Sequence, residues 1–289
     1  MTIAQAVATA WNTSNHSGRR DVPLSVVAGL ALIHPRDHTQ PCPGEQIQAQ
    51  TPEEFRRTLT DIYTLTGRAR PDLVPALYPL MEWLFHDDEN PTLQRAAKTT
   101  ADAALHAGQI ALTGTEARYE ADLLGMVLGS LKSSNASKAN AQIYTPTAIA
   151  DVMARMNTPH EGARVQDPAV GSGSHFRAAA QAMRENDHDP TTVAWYGADI
   201  DNLAIAACAA NSLLWELGPH VLLCVADTLA EGDWPTRAEA QHREVVELAD
   251  NIRQTSAMLA AVRTAQRLTD TVRHDQPECS PADHDQAQG

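Results

Sequence analysis

Two hydrophobic periodicities divide the chain. Through the first 131 residues, apolar side chains recur at three- and four-residue spacing between breakers, which predicts helices. Thr51-Pro52-Glu53-Glu54 reads as a helix start, with Thr as N-cap, Pro at the first helical position and Glu54 closing a capping box. Phe55, Leu59, Ile62 and Tyr63 then fall on one face. Over 73–85, Pro75 and Pro79 predict a helix that is kinked or broken. Asn90-Pro91 opens an Ala-rich helix over 93–106, and 116–131 reads as one amphipathic helix through Tyr119, Leu123, Leu124, Val127 and Leu131. The polar run 132–140, mildly basic through Lys132 and Lys138, reads as a loop because Ser and Asn favour local side-chain hydrogen bonds.

From residue 144 the pattern changes. A short helix runs through Met153 and Met156. A strand over 163–166, a Gly-rich turn over 167–173 and a helix through Met183 come next. A strand over 192–196, a helix over 203–217 and a strand over 220–225 complete the alternation. Strands and helices alternating at this spacing predict βαβ units and a parallel sheet of about three strands, an α/β class. Residues 237–272 form one long helix-favouring stretch with apolar positions at Val245, Leu248, Ile252, Met258, Leu259, Val262 and Leu268. Its simplest role is amphipathic packing over the edge of the first strand. The residues after 272 are rich in Asp, Gln, His and Pro, a composition that predicts disorder. The expected organisation is a helical region at 1–131, an α/β domain at 132–235, a helix at 236–272 and a tail at 273–289.

Composition narrows the chemistry. Of 289 residues 43% are hydrophobic, enough for a globular core, and the formal charge of -14 argues against a broad basic surface gripping nucleic acid. Contact with DNA is therefore expected through a local patch or a partner protein. Cys42, Cys208, Cys224 and Cys279 show no metal-ligand spacing, so neither a disulfide framework nor a metal site is indicated. The N-terminal residues lack a signal-peptide pattern, and the apolar run 22–33 is too short to span a bilayer. A soluble, cytoplasmic protein with no membrane association is expected.

The informative segment is Asp167-Pro168-Ala169-Val170-Gly171-Ser172-Gly173, at a strand-to-helix junction. Glycines there let the backbone turn tightly and approach a ligand, and a helix N-terminus presents free N–H groups. Phe176 occupies the place where the dinucleotide fingerprint needs its third small residue, and no phosphate-binding P-loop exists. The Asp167 carboxylate would repel a pyrophosphate but suits a ligand carrying an ammonium group, which points to S-adenosylmethionine. The second strand ends in Gly197-Ala198-Asp199-Ile200-Asp201 and the third in Val225-Ala226-Asp227-Thr228-Leu229. Asp199 suits ribose hydroxyls and Asp227 an adenine amino group, both at strand carboxyl ends where open α/β sheets bind ligands. Local alternatives exist: Asp201 suits a helix N-cap, Asp227 a turn cap, Tyr144 plain core packing, and a lone Gly-Ser-Gly a simple turn.

Residues 119–229 resemble the N6-adenine DNA methyltransferases, especially the modification subunits of type I restriction systems. The resemblance rests on Gln142-Ile143-Tyr144-Thr145-Pro146, the Asp167–Gly173 loop, Asp199 with Ile200, and Asp227, in the family's order and spacing. It implies a partial Rossmann-like methyltransferase sheet binding S-adenosylmethionine. Tyr144 and Thr145 would then line the methionine end beside Asp167, Pro168, Gly171, Ser172 and Gly173. Asp199 with Ile200 would hold the ribose, and Asp227 the adenine. The family also carries an Asn/Asp-Pro-Pro-aromatic segment that grips the target amine and stacks on the flipped base. No such segment occurs in this chain.

Three readings follow. The first is a cofactor-binding family member of restriction-modification type, catalytically incomplete alone and with no catalytic residue assignable. The second is an adenine-specific DNA methyltransferase completed by a partner chain, a catalytic or specificity subunit. The third is a non-enzymatic helical interaction protein.

Overall fold

The computed structural model describes residues 1–14, 16, 18–33, 42–87, 90–133 and 147–274. The helical region opens with α1 (Ile3–Asn12), α2 (Asp21–Ala31), α3 (Pro43–Gln48) and α4 (Pro52–Ala69). It continues with α5 (Val74–His86), α6 (Pro91–His106), α7 (Gln109–Thr113) and α8 (Leu123–Ser133). The α/β region then runs α9 (Thr147–Met156), β1 (Arg164–Asp167), α10 (Ser174–Glu185), β2 (Ala194–Asp199), α11 (Asn202–Leu214), β3 (Val221–Val225) and α12 (Trp234–His274). Mostly helical, with a small three-stranded parallel sheet, the architecture is the α/β arrangement expected from the alternation.

Local chemistry explains the element starts. The Thr51 hydroxyl accepts from the Glu54 N–H at 3.3 Å while the Glu54 carboxylate accepts from the Thr51 N–H at 2.8 Å, so the capping box forms as read. The Asn90 side chain caps α6 in the same way at 3.1 Å.

Three expectations are corrected. The proline-containing segment is not broken: α5 runs unbroken over it, preceded by a 3₁₀ turn at Pro71–Leu73. Pro75 lies in the first turn, where its missing N–H costs nothing, and Pro79 is accommodated within the helix. The stretch 116–131 is not one helix: a 3₁₀ turn at Glu116–Tyr119 ends before α8, and the Asp122 side chain accepts from the Gly125 N–H at 2.9 Å to start the new helix. The third concerns the long C-terminal helix and follows from the sheet. The polar run 132–140 and the tail lie outside the described residues, apart from 132–133 and the last turn of α12.

The sheet order is β1-β2-β3, with Asp167 opposite Gly197 and Asp199 opposite Val225. Each strand alternates its side chains between two faces. On one face Trp195 is fully buried, its Nε1 donating to the carbonyls of Pro190 and Leu217 and its ring 5.2 Å from that of Phe176 on α10. That face joins a core that continues through α11 into α5, α2 and α8, so helical region and sheet share one apolar interior. On the other face Tyr196, Ala198, Leu222 and Cys224 pack under Trp234 and Ala238 of α12. The first turns of α12 thus cover a sheet face rather than lie along the first strand. Arg164 and Gln166 of β1 remain exposed, with Arg164 and the Tyr196 hydroxyl both donating to the Glu239 carboxylate.

Two compact units emerge, Met1–His242 and Arg243–Gly289. Within the second, the helical residues 243–264 are exposed or half-exposed, Leu248, Ile252 and Met258 among the exposed ones.

Trp234 is only 6% exposed and covers the second sheet face. Trp234→Ala is expected to cost about 3–5 kcal/mol of unfolding free energy in urea titration. A loss below about 1 kcal/mol would show that another group covers that face.

Candidate functional site at the strand tips

At the carboxyl ends of the strands lies a cavity of about 640 Å³, within the usual range for small-molecule sites. It is lined by seven of the ten residues singled out from the sequence: Asp167, Pro168, Gly171, Ser172, Asp199, Ile200 and Asp227. Gly173 stands off the lining. At φ 91° it turns the chain into α10, and a Cβ there would meet the Cys208 sulfur at 3.0 Å and the Trp215 ring at 3.2 Å. Tyr144 and Thr145 lie outside the described residues.

The three acids are each tied to the backbone. Asp167 accepts from the Ala169 N–H at 3.0 Å and meets His175 Nδ1 at 3.1 Å. Asp199 accepts from the Gly171 N–H and the Asp201 N–H, both at 2.9 Å, so it braces the glycine loop against the end of β2. Asp227 accepts from Leu229 and Ala230 N–H groups and caps its own turn, and the Thr228 hydroxyl donates to the Pro168 carbonyl at 3.0 Å, closing the far wall onto the loop. Asp201 caps α11 and pairs with Lys132 at 2.7 Å. Burial pushes its carboxyl up, but Lys132 and the helix N–H groups outweigh that and hold it below the usual carboxylate range.

The rest of the wall mixes the polar side chains of Ser172, Ser174, His175 and Thr228 with apolar ones, among them Ile200 and Leu229, exposed by 68% and 99% at its rim. Among the described residues no Lys or Arg lines the cavity. Three carboxylates with no Lys or Arg beside them favour hydroxyl and amine donors and cationic groups, and disfavour a phosphate. Among the described residues no group of three or more His, Cys, Asp or Glu is placed to hold a metal, and no helix is long and apolar enough to cross a membrane.

Beneath the loop is a buried network not read from the sequence. The Asp122 carboxylate accepts from the Ser172 hydroxyl at 2.5 Å, the Asn211 amide at 2.9 Å and the Gly125 N–H at 2.9 Å, and the same Asn211 amide donates to the Ser172 carbonyl. Ser172 therefore commits its hydroxyl to the loop's foundation. A Cβ on Gly125 would stand 2.3 Å from an Asp122 oxygen and 2.4 Å from the Ser172 hydroxyl, so only glycine fits. An Asp followed three residues later by Gly ahead of an apolar run is an N-cap signal that marks Asp122 locally. Its contacts with the loop have no local signature. His175 was likewise missed: it lines the cavity from the first turn of α10.

Residues 120–249 match the family model described as N-6 DNA Methylase. This segment of the chain is similar to that family. No curated protein matches the sequence. Among solved structures, the type I restriction-modification system methyltransferase subunit from Streptococcus thermophilus is similar at 19% identity and a TM-score of 0.39, over 81% of this chain. The match covers 60% of that subunit, so this chain spans less than two thirds of its length. The matched segment contains the whole sheet, the glycine loop, Asp122 and the first turns of α12.

Two outcomes test the network. Gly125→Ala is expected to cost about 1–3 kcal/mol of stability, because neither close neighbour can yield without losing a buried hydrogen bond. Burial raises the Asp122 pKa, with the Ser172, Gly125 and Asn211 donors opposing it only in part. An acid raised on folding binds more protons folded than unfolded, so its contribution to stability falls as pH rises from the ordinary carboxylate value to the folded one. Urea unfolding across that interval should show a flatter pH dependence in Asp122→Asn than in the parent. Parallel curves would remove Asp122 as the source.

Proposed function

We propose that the chain binds S-adenosylmethionine at the strand tips as a member of the N-6 DNA methylase family of restriction-modification type, and does not complete methyl transfer to DNA alone. The observation that carries this is the cavity with three backbone-tied acids and no lining Lys or Arg among the described residues. When bound, the cofactor supplies a methyl group on a cationic sulfur.

Asp167 provides negative charge for the cationic methionine end, Asp199 has carboxylate lone pairs for ribose hydroxyls, and Asp227 has the same for an adenine amine. Gly171, Ser172 and Pro168 supply close backbone approach, with Gly173 setting the turn, and Ile200 and Leu229 offer apolar surface to a planar base. Tyr144 and Thr145 belong to this reading through their sequence context. Incompleteness is supported by the lack of an Asn/Asp-Pro-Pro-aromatic run anywhere in the sequence. The net charge of -14 favours reaching DNA through a partner protein, a catalytic or specificity subunit. A cytoplasmic setting fits that role.

The partner-completed reading is favoured by one further observation. Among the described residues β1 pairs only with β2, and Arg164 and Gln166 on it are exposed. The strand next to the glycine loop thus offers an edge to which another chain's strand can add.

Calorimetric titration should give a dissociation constant in the micromolar range, about -7 to -8 kcal/mol. Asp199→Ala, which also unties the Gly171 N–H, should weaken binding by more than about tenfold. No heat and no melting shift with the cofactor would overturn the proposal. Radiolabelled methyl transfer to adenine-containing duplex DNA should be absent for the chain alone, and transfer by the purified chain would defeat the claim of incompleteness.

A further inference from the structure

The glycine loop carries a titratable group that the cofactor reading does not use. His175 lines the cavity from the first turn of α10, its Nδ1 3.1 Å from Asp167 Oδ2, the carboxylate assigned above to the cationic end of the ligand. A carboxylate only accepts, so Nδ1 carries the hydrogen and the neutral ring leaves its lone pair on Nε2. That Nε2 is buried without a hydrogen-bond partner among the described residues, so it fixes the ring through no second contact. The other charged groups of the cavity come from β2 and from the turn after β3. Asp199 and Asp227 have their oxygens on backbone N–H groups, and no Lys or Arg lines the cavity among the described residues. Helix α10 adds none to the lining beside His175. Among the described residues Asp167 is thus the single ionic partner this imidazole meets.

We propose that His175 is a positioning residue for the strand-tip site: its Nδ1–H holds the Asp167 carboxylate toward the cavity, and its protonated form competes with the cationic end of the ligand for that carboxylate, so that ligand capture releases a proton. This deepens the S-adenosylmethionine reading and rests on it. Protonated, the imidazolium cancels the Asp167 charge. Neutral, it leaves that charge whole while keeping the carboxylate oriented. The Asp167 hydrogen bond, outweighing burial, raises the His175 pKa above its ordinary value, which brings the exchange toward neutral pH. Affinity for a cation at Asp167 consequently rises as pH rises through the His175 titration.

The test is isothermal titration of the full chain with S-adenosylmethionine from pH 5.5 to 8, about two units around the ordinary histidine value. It is done in buffers of different ionisation enthalpy and repeated with His175→Gln, which keeps a donor for Asp167 but cannot titrate. The parent should gain about tenfold in affinity across that range and release a fraction of a proton per ligand bound. The Gln variant should bind with a flatter pH dependence, and subtracting its curve removes the titration of the ligand's own amine. Equal slopes and equal proton release in the two proteins would overturn the role of His175 while leaving the cofactor site intact. No binding by the parent at any pH would overturn both readings together. Should the variant fail to fold, proton release by the parent between pH 5.5 and 6.5 decides, since the ligand's amine, with an ordinary value of about 8, stays protonated there.

Discussion

A carboxylate drawn largely out of water has to be surrounded by donors, and the donors available to Asp122 come from different parts of the chain. One is the N–H of its own helix, one the Ser172 hydroxyl in the glycine loop, and one the Asn211 amide on α11. Satisfying this one group therefore fixes the end of the helical region, the loop and the helix after β2 to one another. The loop is held from above as well, by the Asp199 oxygen on the Gly171 N–H. Its path is set by hydrogen bonds to two acids on opposite sides, one buried and one at the cavity wall.

The electrostatics of the cavity follow from that arrangement. Each wall acid uses backbone N–H groups to keep its charge in place, and the cations near the strand tips are drawn off, Lys132 to Asp201 and Arg237 to Glu231 and the Val225 carbonyl. The wall keeps its negative character because the positive charge nearby is committed elsewhere. Arg177, buried on α10, is similarly engaged by Asp151 and the Tyr119 carbonyl. Positive groups in this region brace helices and leave the cavity to the acids.

What was legible in the sequence is what short-range chemistry decides. The Thr51 capping box, the Asn90 cap and the alternation of strand and helix after residue 144 all appear close to where they were read. Residues 116–131 misled because apolar spacing continues from Tyr119 to Leu123 across a break that only the Asp122 cap reveals. Pro79 misled in the other direction, since packing of Leu77, Leu80 and Leu84 into the core holds α5 through one lost hydrogen bond. The place of α12 was misread because its long exposed stretch gives no hint that Trp234 and Ala238 turn onto a sheet face. At the cavity, Asp167, Asp199 and Asp227 were visible as strand-end acids. Gly173 serves the turn, and the pairing of His175 with Asp167 depends on the first turn of α10 folding back over β1.

The shared interior of the helical region and the sheet has a consequence for the order of synthesis. Helices α2 and α5 leave the ribosome more than a hundred residues before α11, against which both pack. Until Leu214 has emerged, the parts of their apolar surfaces that face α11 have no permanent cover, a condition that invites association with other nascent chains or with a holdase. The glycine loop, tied to Asn211, cannot settle before that same moment. The last strand and the helix that caps it then close a body whose first-made half has been waiting for them.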